Sequence, residues 1–289
     1  MLKNMKVSVI IPHKDAPQEL LSLVESLKKQ TLLPAEVIVT DSSEESENFR
    51  LAQKIGGKVF RISPAQFNHG ETRTFAARKA EGEVLVFFTQ DARPAHKRAL
   101  ENLVNSLSPA HKIVAAYGRQ VSPPSLGLLP FLHRLFNYPP RSQVVSAADI
   151  EKLGLRAAFF SNSFGAYLKE ALRAVGWFPK VPALEDQYVA AKFLLRGWQI
   201  CYNARAVVFH GHAFSFLREF RRYSSMGRFY AENPWLKERF GRVEGEAWRY
   251  FFFIWRELKR RKKLRLFPIF FMQQVVRFGG YQWGKRRRS

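Results

Sequence analysis

One cysteine in 289 residues, Cys201, leaves no internal disulfide framework and no multi-cysteine metal site. It fits a reducing compartment, and its mid-strand setting reads as a small buried hydrophobe. Acidic residues are scarce: 24 Asp and Glu stand against 47 Lys and Arg, a formal net charge of +23. So basic a balance asks for a polyanionic partner: nucleic acid, an anionic membrane face, or phosphorylated substrates. No stretch reaches the about 18–20 uninterrupted apolar residues of a spanning helix. The amino terminus, MLKNMKVSVIIPHKD, has only a short apolar run before Pro, His, Lys and Asp, which reads as a strand rather than a signal peptide. A soluble or surface-bound chain is the expectation. There is no internal repeat. Hydrophobic content of 46% and aromatic content of 14% allow a proper core, in one large domain or two small ones.

What is present is organised around Val84 to Pro94, VLVFFTQDARP. Val84 to Phe88 is unbroken and apolar, as a strand buried on both faces must be. It ends in Thr89, Gln90 and Asp91, and Pro94 opposes continuation. A carboxylate at the carboxyl end of a buried parallel strand lies where open α/β sheets bind ligands.

Ahead of it, strands and helices alternate. Val7 to Ile11, Ala35 to Thr40 and Val59 to Ile62 read as strands. Gln18 to Lys29 is an amphipathic helix, with Leu20, Leu23, Val24 and Leu27 on one face. Ser42 to Lys54 has helical character and stops at Gly56-Gly57, and Thr72 to Ala80 is a third helix. That rhythm predicts a parallel, doubly wound sheet with all strand carboxyl ends on one edge. Asp15, Asp41 and Asp91 sit at or just after such ends. Beyond Asp91 the reading gives a helix over Arg98 to Leu107 and a strand over Ile113 to Tyr117. An irregular crossing over Ser122 to Pro140 and a strand over Ala157 to Ser161 follow. Helices come next at Lys169 to Val175 and Glu185 to Leu195, with strands at Gln199 to Asn203 and Ala206 to His210.

From Ala213 the composition shifts. The last 77 residues hold 20 Lys and Arg against 6 Asp and Glu, so +14 of the net charge lies there. Phe251, Phe252, Phe253, Trp255, Phe267, Phe270, Phe271, Tyr281 and Trp283 accompany a basic run over Lys259 to Lys263 and another over Arg286 to Arg288. Rings at headgroup level with cations on anionic lipid, at about 1 kcal/mol each, are what an interfacial segment needs.

The ordered stretches VSVIIPHKD, VIVTDSSEES, NHGETRTFAARKAEGEVLVFFTQDARP and LEDQYVAAKFLLRGWQICYNARAVVFHGH resemble the signatures of a family 2 inverting glycosyltransferase. With YGRQ, FFSNSFGA and FRRYSSMG added, the wording looks most like rhamnosyltransferases. The resemblance covers roughly residues 6–230. It implies an α/β fold of the GT-A (Rossmann-like) type, a mixed, mostly parallel sheet flanked by helices. A nucleotide-sugar half would occupy residues 1–120 and an acceptor half 121–212. A basic, aromatic, mainly helical segment, 213–289, would follow and associate with membrane. The processive synthases' Gln-x-x-Arg-Trp element is missing, which points to a single or limited transfer.

The resemblance also implies a nucleotide diphosphate sugar donor and a divalent cation, Mg2+ or Mn2+. Expelling a nucleotide diphosphate needs charge neutralisation, which a cation held by carboxylates supplies. Asp91 matches the family's strand-end carboxylate. Arg93 stands where a second acid is usual and offers a phosphate contact instead. His210 and His212, in VVFHGH, are candidate co-ligands of Asp91, with His210 closer to the family spacing; loop histidines bonded to backbone are the plainer reading. Asp41 matches the position that recognises base and ribose, and also reads as a helix cap. Pro12, Asp15, Asn68, Gly70, Arg73, Gln90 and Arg93 complete the donor set. Thr74 departs from the family's Asn, and His69 is as readily a loop histidine as a contact. Asp186 matches the family's catalytic base, with Glu185 orienting acceptor or neighbouring groups. Two acids starting a helix also simply complement its dipole. Trp177, Arg222 and Tyr223 are assigned to acceptor or diphosphate.

These readings give a transferase acting on a glycan or polyprenyl-linked acceptor in cell-surface polysaccharide synthesis. It would sit peripherally on the cytoplasmic face of the plasma membrane, or otherwise in the cytoplasm. The sugar is L-rhamnose on the closest wording, with another hexose or an N-acetylhexosamine as the alternative. A nucleic-acid binder fits the charge, but no nucleic-acid motif is present and none is expected as partner. An inactive scaffold is the reading prompted by Arg93.

Overall fold

The computed structural model describes residues 5–55, 57–241 and 246–287. Gly56 and Arg288, which the sequence reading used as a helix stop and in the terminal basic run, lie outside them. The chain begins with strand β1 (Val7–His13), helix α1 (Pro17–Lys28), β2 (Glu36–Asp41), α2 (Ser46–Ile55) and β3 (Lys58–Arg61). Then come α3 (His69–Lys79), β4 (Val84–Phe88), the two-residue β5 (Arg93–Pro94), α4 (Ala99–Val104), β6 (Ile113–Val121), α5 (Leu128–Asn137) and β7 (Gln143–Val145). Next are α6 (Ile150–Leu153), β8 (Phe164–Leu168), α7 (Lys169–Ala174), α8 (Glu185–Leu195) and β9 (Gln199–Phe209). Helices α9 (Phe216–Glu232), α10 (Trp235–Phe240), α11 (Glu246–Arg260) and α12 (Phe267–Arg286) end the chain.

One sheet runs β3-β2-β1-β4-β8-β6-β9-β5, with β7 added against β9. The first four strands are mutually parallel, as the alternating rhythm predicts. The second half is mixed: β8 lies antiparallel between β4 and β6, β6 and β9 run parallel, and β5 and β7 pair antiparallel with β9. β4 is buried along its whole length at the centre. Phe87 meets Tyr167 and Phe178 on one face, and Phe88 meets Phe164 on the other. Enclosing each ring contributes about 1.5–3 kcal/mol.

The structure departs from the sequence reading at three places. The apolar run Ala157 to Ser161 is a tight helical turn and loop, and the strand comes later, at β8. Its Ala157, Ala158 and Phe160 are buried all the same, and a short apolar run cannot separate a buried turn from a buried strand. The two strands drawn over Gln199–Asn203 and Ala206–His210 are one strand, β9. Its register against β6 slips between Asn203 and Val207, where the Asn203 side chain bonds Asn102 and Ser106. The irregular crossing contains α5, whose Pro130 sits in the first turn, where a backbone N–H has no helical partner to lose.

The C-terminal helices pack onto this body. Phe229, Leu236 and Phe240 join the main core. Leu132 of α5 forms a smaller one with Ile254, Leu258 and Phe270. Helices α9 and α12 run in the same direction at backbone contact: a Cβ on Gly280 or Gly284 would strike the Phe220 or Ser224 carbonyl. Only glycine permits that approach.

Candidate active site

Two strand ends assemble the first cluster. β5 pairs with the end of β9, Arg93 opposite Phe209, so the turn carrying Asp91 lies beside the residues following β9. His210 and His212 point their Nε2 atoms at Asp91 Oδ2, each at 3.2 Å. That oxygen is buried, and neither imidazole is aligned to give it a hydrogen bond. Three ligand atoms converging within 4.8 Å around an unsatisfied carboxylate oxygen is the arrangement a divalent cation takes. Burial pushes the Asp91 carboxyl up, but the close approach and charge of His210, then His212 and Thr89, outweigh it and hold the pKa at about 2. Burial, with Arg134, pushes His210 down, keeping it neutral as a ligand must be.

The His210 ring is aimed from behind. Its Nδ1 lies 3.0 Å from Gln120 Oε1 and 3.0 Å from the Arg134 guanidinium. Gln120 commits its NH2 to Ser161 Oγ at 2.7 Å, which turns its oxygen towards the ring. An Nδ1–H given to that oxygen leaves Nε2 free to ligate.

The second cluster is built on the first turn of α8. Asn162 organises it: its backbone N–H donates to Asp186 Oδ2 at 3.0 Å and its Nδ2 to Glu185 Oε1 at 3.1 Å. The buried Tyr167 hydroxyl donates to Asn162 Oδ1 at 2.7 Å. Glu185 also pairs with Arg73 at 2.9 Å, both buried. Burial raises the Glu185 carboxyl, and Arg73, His69 and Asn162 more than reverse it, so Glu185 stays charged. Asp186 feels that charge: burial and then Glu185 push its pKa up to about 7. A carboxylate with that value can take a proton at neutral pH and give it up again.

Several residues assigned to the donor side have partners within the fold. The Arg73 guanidinium is engaged by Glu185 and by the His69 carbonyl. Gly70 is approached by the Pro179 carbonyl, where a Cβ would stand at 1.9 Å. Asn68 caps α3 through Gly70 and Glu71 and bonds the Val181 carbonyl. Thr74 bonds both the amide and the carbonyl of Phe178. This motif therefore buttresses the segment leading into the acid pair. Asp41 is wholly buried against His13 and the Ser43 hydroxyl, so it shapes the β1 loop from within. It does not cap α2, which starts at Ser46. Trp177 has a left-handed backbone (φ 64) and packs at the core edge with the Arg78 guanidinium 5.9 Å away, lining neither site cavity.

The others sit at the cleft. Half-buried Pro12 is the penultimate residue of β1, and the exposed Asp15 accepts from the Glu44 amide. Gln90 clamps the β1 loop through the Lys14 amide and carbonyl. Arg93 shares a cavity of about 320 Å³ with Gln90, Asp91 and His212. Arg222 lines a second, of about 390 Å³, with His210, His212 and Ser161. Tyr223 lies behind, its ring 5.5 Å from Arg277. Gln120, Arg134 and Asn162 received no role from the sequence, although YGRQ and FFSNSFGA contain two of them. For Gln120 and Asn162 the available signal was a polar residue just past an apolar run, the same signal that marked Asp91.

The sequence profile of Glycosyl transferase family 2 matches residues 8–176. The chain is 37% identical to the O-antigen chain rhamnosyltransferase RfbN of Salmonella typhimurium, over 99% of this chain and 91% of that one. It is 36% identical to the O-antigen chain rhamnosyltransferase WbaN of Salmonella anatum, over 91% and 84%. Among solved structures, the mannosyltransferase PcManGT from Pyrobaculum calidifontis, in complex with GDP-Man and Mn2+, superposes with a TM-score of 0.66 at 16% identity, covering 97% of this chain and 88% of that one. S. aureus TarS 1–349 in complex with UDP gives 0.54 at 17% identity, covering 98% and 90%. These likenesses carry the fold, a GT-A-like mixed sheet flanked by helices. With the profile over more than half of the chain and a relative aligned over 99% of it, the chain belongs to glycosyltransferase family 2 and is a glycosyltransferase.

Proposed function

We propose that the protein is an inverting rhamnosyltransferase of O-antigen synthesis, moving L-rhamnose from a nucleoside diphosphate sugar to a lipid-linked glycan at a membrane surface. The observation that carries the chemistry is the pairing of an Asp91–His210–His212 ligand set with a base whose pKa is raised to about 7. The sugar and pathway rest on the relatives, whose names say rhamnose and O-antigen.

Asp91, His210 and His212 would hold the cation, and their two nitrogens suit Mn2+ better than Mg2+. When bound, the cation neutralises charge on the departing diphosphate. Asp186 takes the proton of the acceptor hydroxyl as that oxygen bonds to the anomeric carbon and the nucleoside diphosphate leaves from the opposite face. Glu185 stays ionised on Arg73 and keeps the Asp186 pKa high. Asn162 orients both carboxylates. Pro12, Asp15, Gln90 and Arg93 face the donor.

The membrane assignment is supported by α12. Its buried stripe is Phe270, Gln273, Arg277, Gly280 and Gly284. On the opposite side Phe271, Met272, Val275 and Phe278 are exposed, each by more than half. An apolar stripe left exposed opposite the side already packed calls for a second cover. Exposed Trp248, Phe252 and Trp255 on α11 and the basic run after it supply the rings and cations of an interfacial surface. No described helix is long and apolar enough to cross a membrane.

The test is donor cleavage with Mn2+ across a panel of nucleotide sugars. A thymidine or uridine diphosphate rhamnose should be consumed fastest, and EDTA should stop it. Consumption of a hexose or N-acetylhexosamine donor instead would overturn the rhamnose assignment. For the membrane, Phe271→Ser with Phe278→Ser should abolish sedimentation with anionic vesicles; unchanged sedimentation would refute the surface.

A further inference from the structure

The 390 Å³ cavity is cationic in a way the transfer reaction has not used. α5 brings Arg134 to its wall, α9 brings Arg218 and Arg222, and α12 brings Arg277. One carboxylate, Glu219, stands among its lining residues. It is 2.7 Å from Arg277 and 3.7 Å from Arg222. Among the described residues, no carboxylate lies within ion-pair distance of Arg134 or Arg218. The field reaches His133, pushed well down first by burial and then by Arg277, Arg134 and Arg222. Guanidinium groups gathered without matching acids are a site for a phosphoryl group, which they bind through paired N–H donors.

The cavity meets the candidate metal ligands at His210 and His212 and extends away from them. Asp91 does not line it, and no lining residue precedes Thr89, so β1, β2 and the loops after them contribute nothing to it. The other cavity, with Gln18, Glu19, Ser22, Gln90 and Arg93, lies towards the nucleotide half of the chain, and Gly211 and His212 line both. The helix supplying Gln273 and Arg277 carries the exposed apolar stripe on its reverse side, and a helix is about 10–12 Å across. Exposed Phe216 and Leu217 immediately precede Arg218.

We propose that this cavity is an anion subsite for the diphosphate that links a glycan acceptor to its lipid, separate from the site of the donor's diphosphate. The proposal rests on the transferase reading for its occupant. A phosphate held here lies one helix diameter from the surface assigned to lipid. The glycan end of the acceptor then has the rest of the cavity, past Ser161 and Ser163, in which to approach the Asp186 cluster.

The full-length protein is titrated calorimetrically with inorganic pyrophosphate without metal. Arg218→Gln combined with Arg222→Gln, both exposed positions, should weaken binding about tenfold or more. Asp91→Asn, which removes the metal carboxylate, should change it less than about twofold, since the two sites are separate. Farnesyl diphosphate in detergent micelles should compete with pyrophosphate, identifying the lipid-linked form, and farnesol should not. Nucleoside diphosphate binding with Mn2+ should follow Asp91 and ignore the arginine pair. Pyrophosphate binding that needs Mn2+, or an arginine pair that weakens nucleotide and pyrophosphate alike, would assign the cavity to the donor and overturn the proposal. So would no pyrophosphate binding, or no competition by farnesyl diphosphate. Donor cleavage with Mn2+ is read independently, so failure of the transferase reading is seen as no cleavage with pyrophosphate binding intact.

Discussion

Asp91 and Asp186 are both partly enclosed aspartates, and burial raises the carboxyl of each. One nevertheless ends at about 2 and the other at about 7. The difference lies in the neighbours. Asp91 faces two imidazoles, each 3.2 Å away, and His210, the nearer to full burial, favours its ionisation most. Asp186 faces Glu185, which is kept ionised by Arg73 and opposes a second negative charge beside it. The same side chain is thus held as an anion in one place and near neutrality in the other, the two states that the proposed cation ligand and the proposed base require.

The largest effects come from erasing either end. Asp186→Asn keeps the hydrogen-bonding shape and removes the base, so kcat should fall by about 10²–10⁴ with Mn2+–nucleotide affinity unchanged. Asp91→Asn should do the reverse and abolish Mn2+-dependent nucleotide binding. Calorimetry beside single-turnover rates separates them. If both variants lost nucleotide binding equally, the division of labour would be wrong. Next in size is Gln120→Leu, which removes the acceptor behind His210 Nδ1. Mn2+ affinity should drop about 10–100-fold while the pH profile of the metal-saturated enzyme stays in place.

The pH dependence tests the Asp186 end directly. A base must be ionised to act, so kcat should plateau above about pH 7 and fall about tenfold per unit below it. Glu185→Gln removes the charge that raises Asp186 and leaves the Arg73 cation facing it. Both changes favour the Asp186 anion, so the acid limb should move to lower pH, only part of the way because burial remains. The same variant strands a buried guanidinium, and the melting temperature should fall. An acid limb that did not move would remove Glu185 as a cause of the contrast.

Both aspartates were legible in the sequence, as was the parallel half of the sheet that sets Asp91 at a strand end. Their neighbours were less so. Asp91 meets His210 119 positions further on, and the shared "His after a strand" pattern gave that pairing only through a family likeness. Arg73 reads as a donor contact because it matches the family's motif there and carries a cation; its partner Glu185 is more than a hundred positions away. Asn162 was hidden differently. The apolar residues before it read as a strand, which would have sent alternate side chains to opposite faces, whereas a turn and loop there deliver its amide, NH2 and carbonyl to three partners. Periodicity reports local geometry, and these contacts are set by the pairing of β8 and β9 with strands far away in the chain.

The smallest expected effect concerns the connection between the two ends. Ser161 Oγ accepts from Gln120, whose other end faces His210, and the next residue, Asn162, holds Asp186. A single neutral hydrogen bond of this kind contributes about 0.5–1.5 kcal/mol net. Ser161→Ala should therefore weaken Mn2+ affinity by only a few-fold, by letting Gln120 turn, and leave the acid limb of kcat where it was. The informative measurement is the double-mutant cycle with Gln120→Leu. If Ser161 acts on the metal ligands through Gln120, it has nothing left to position once Gln120 is gone, and the double variant should match Gln120→Leu alone. Additive losses would mean that Ser161 reaches the metal side by another route. A shifted acid limb in Ser161→Ala would mean that the environments of Asp91 and Asp186 are tuned together, so that the contrast between them belongs to one network.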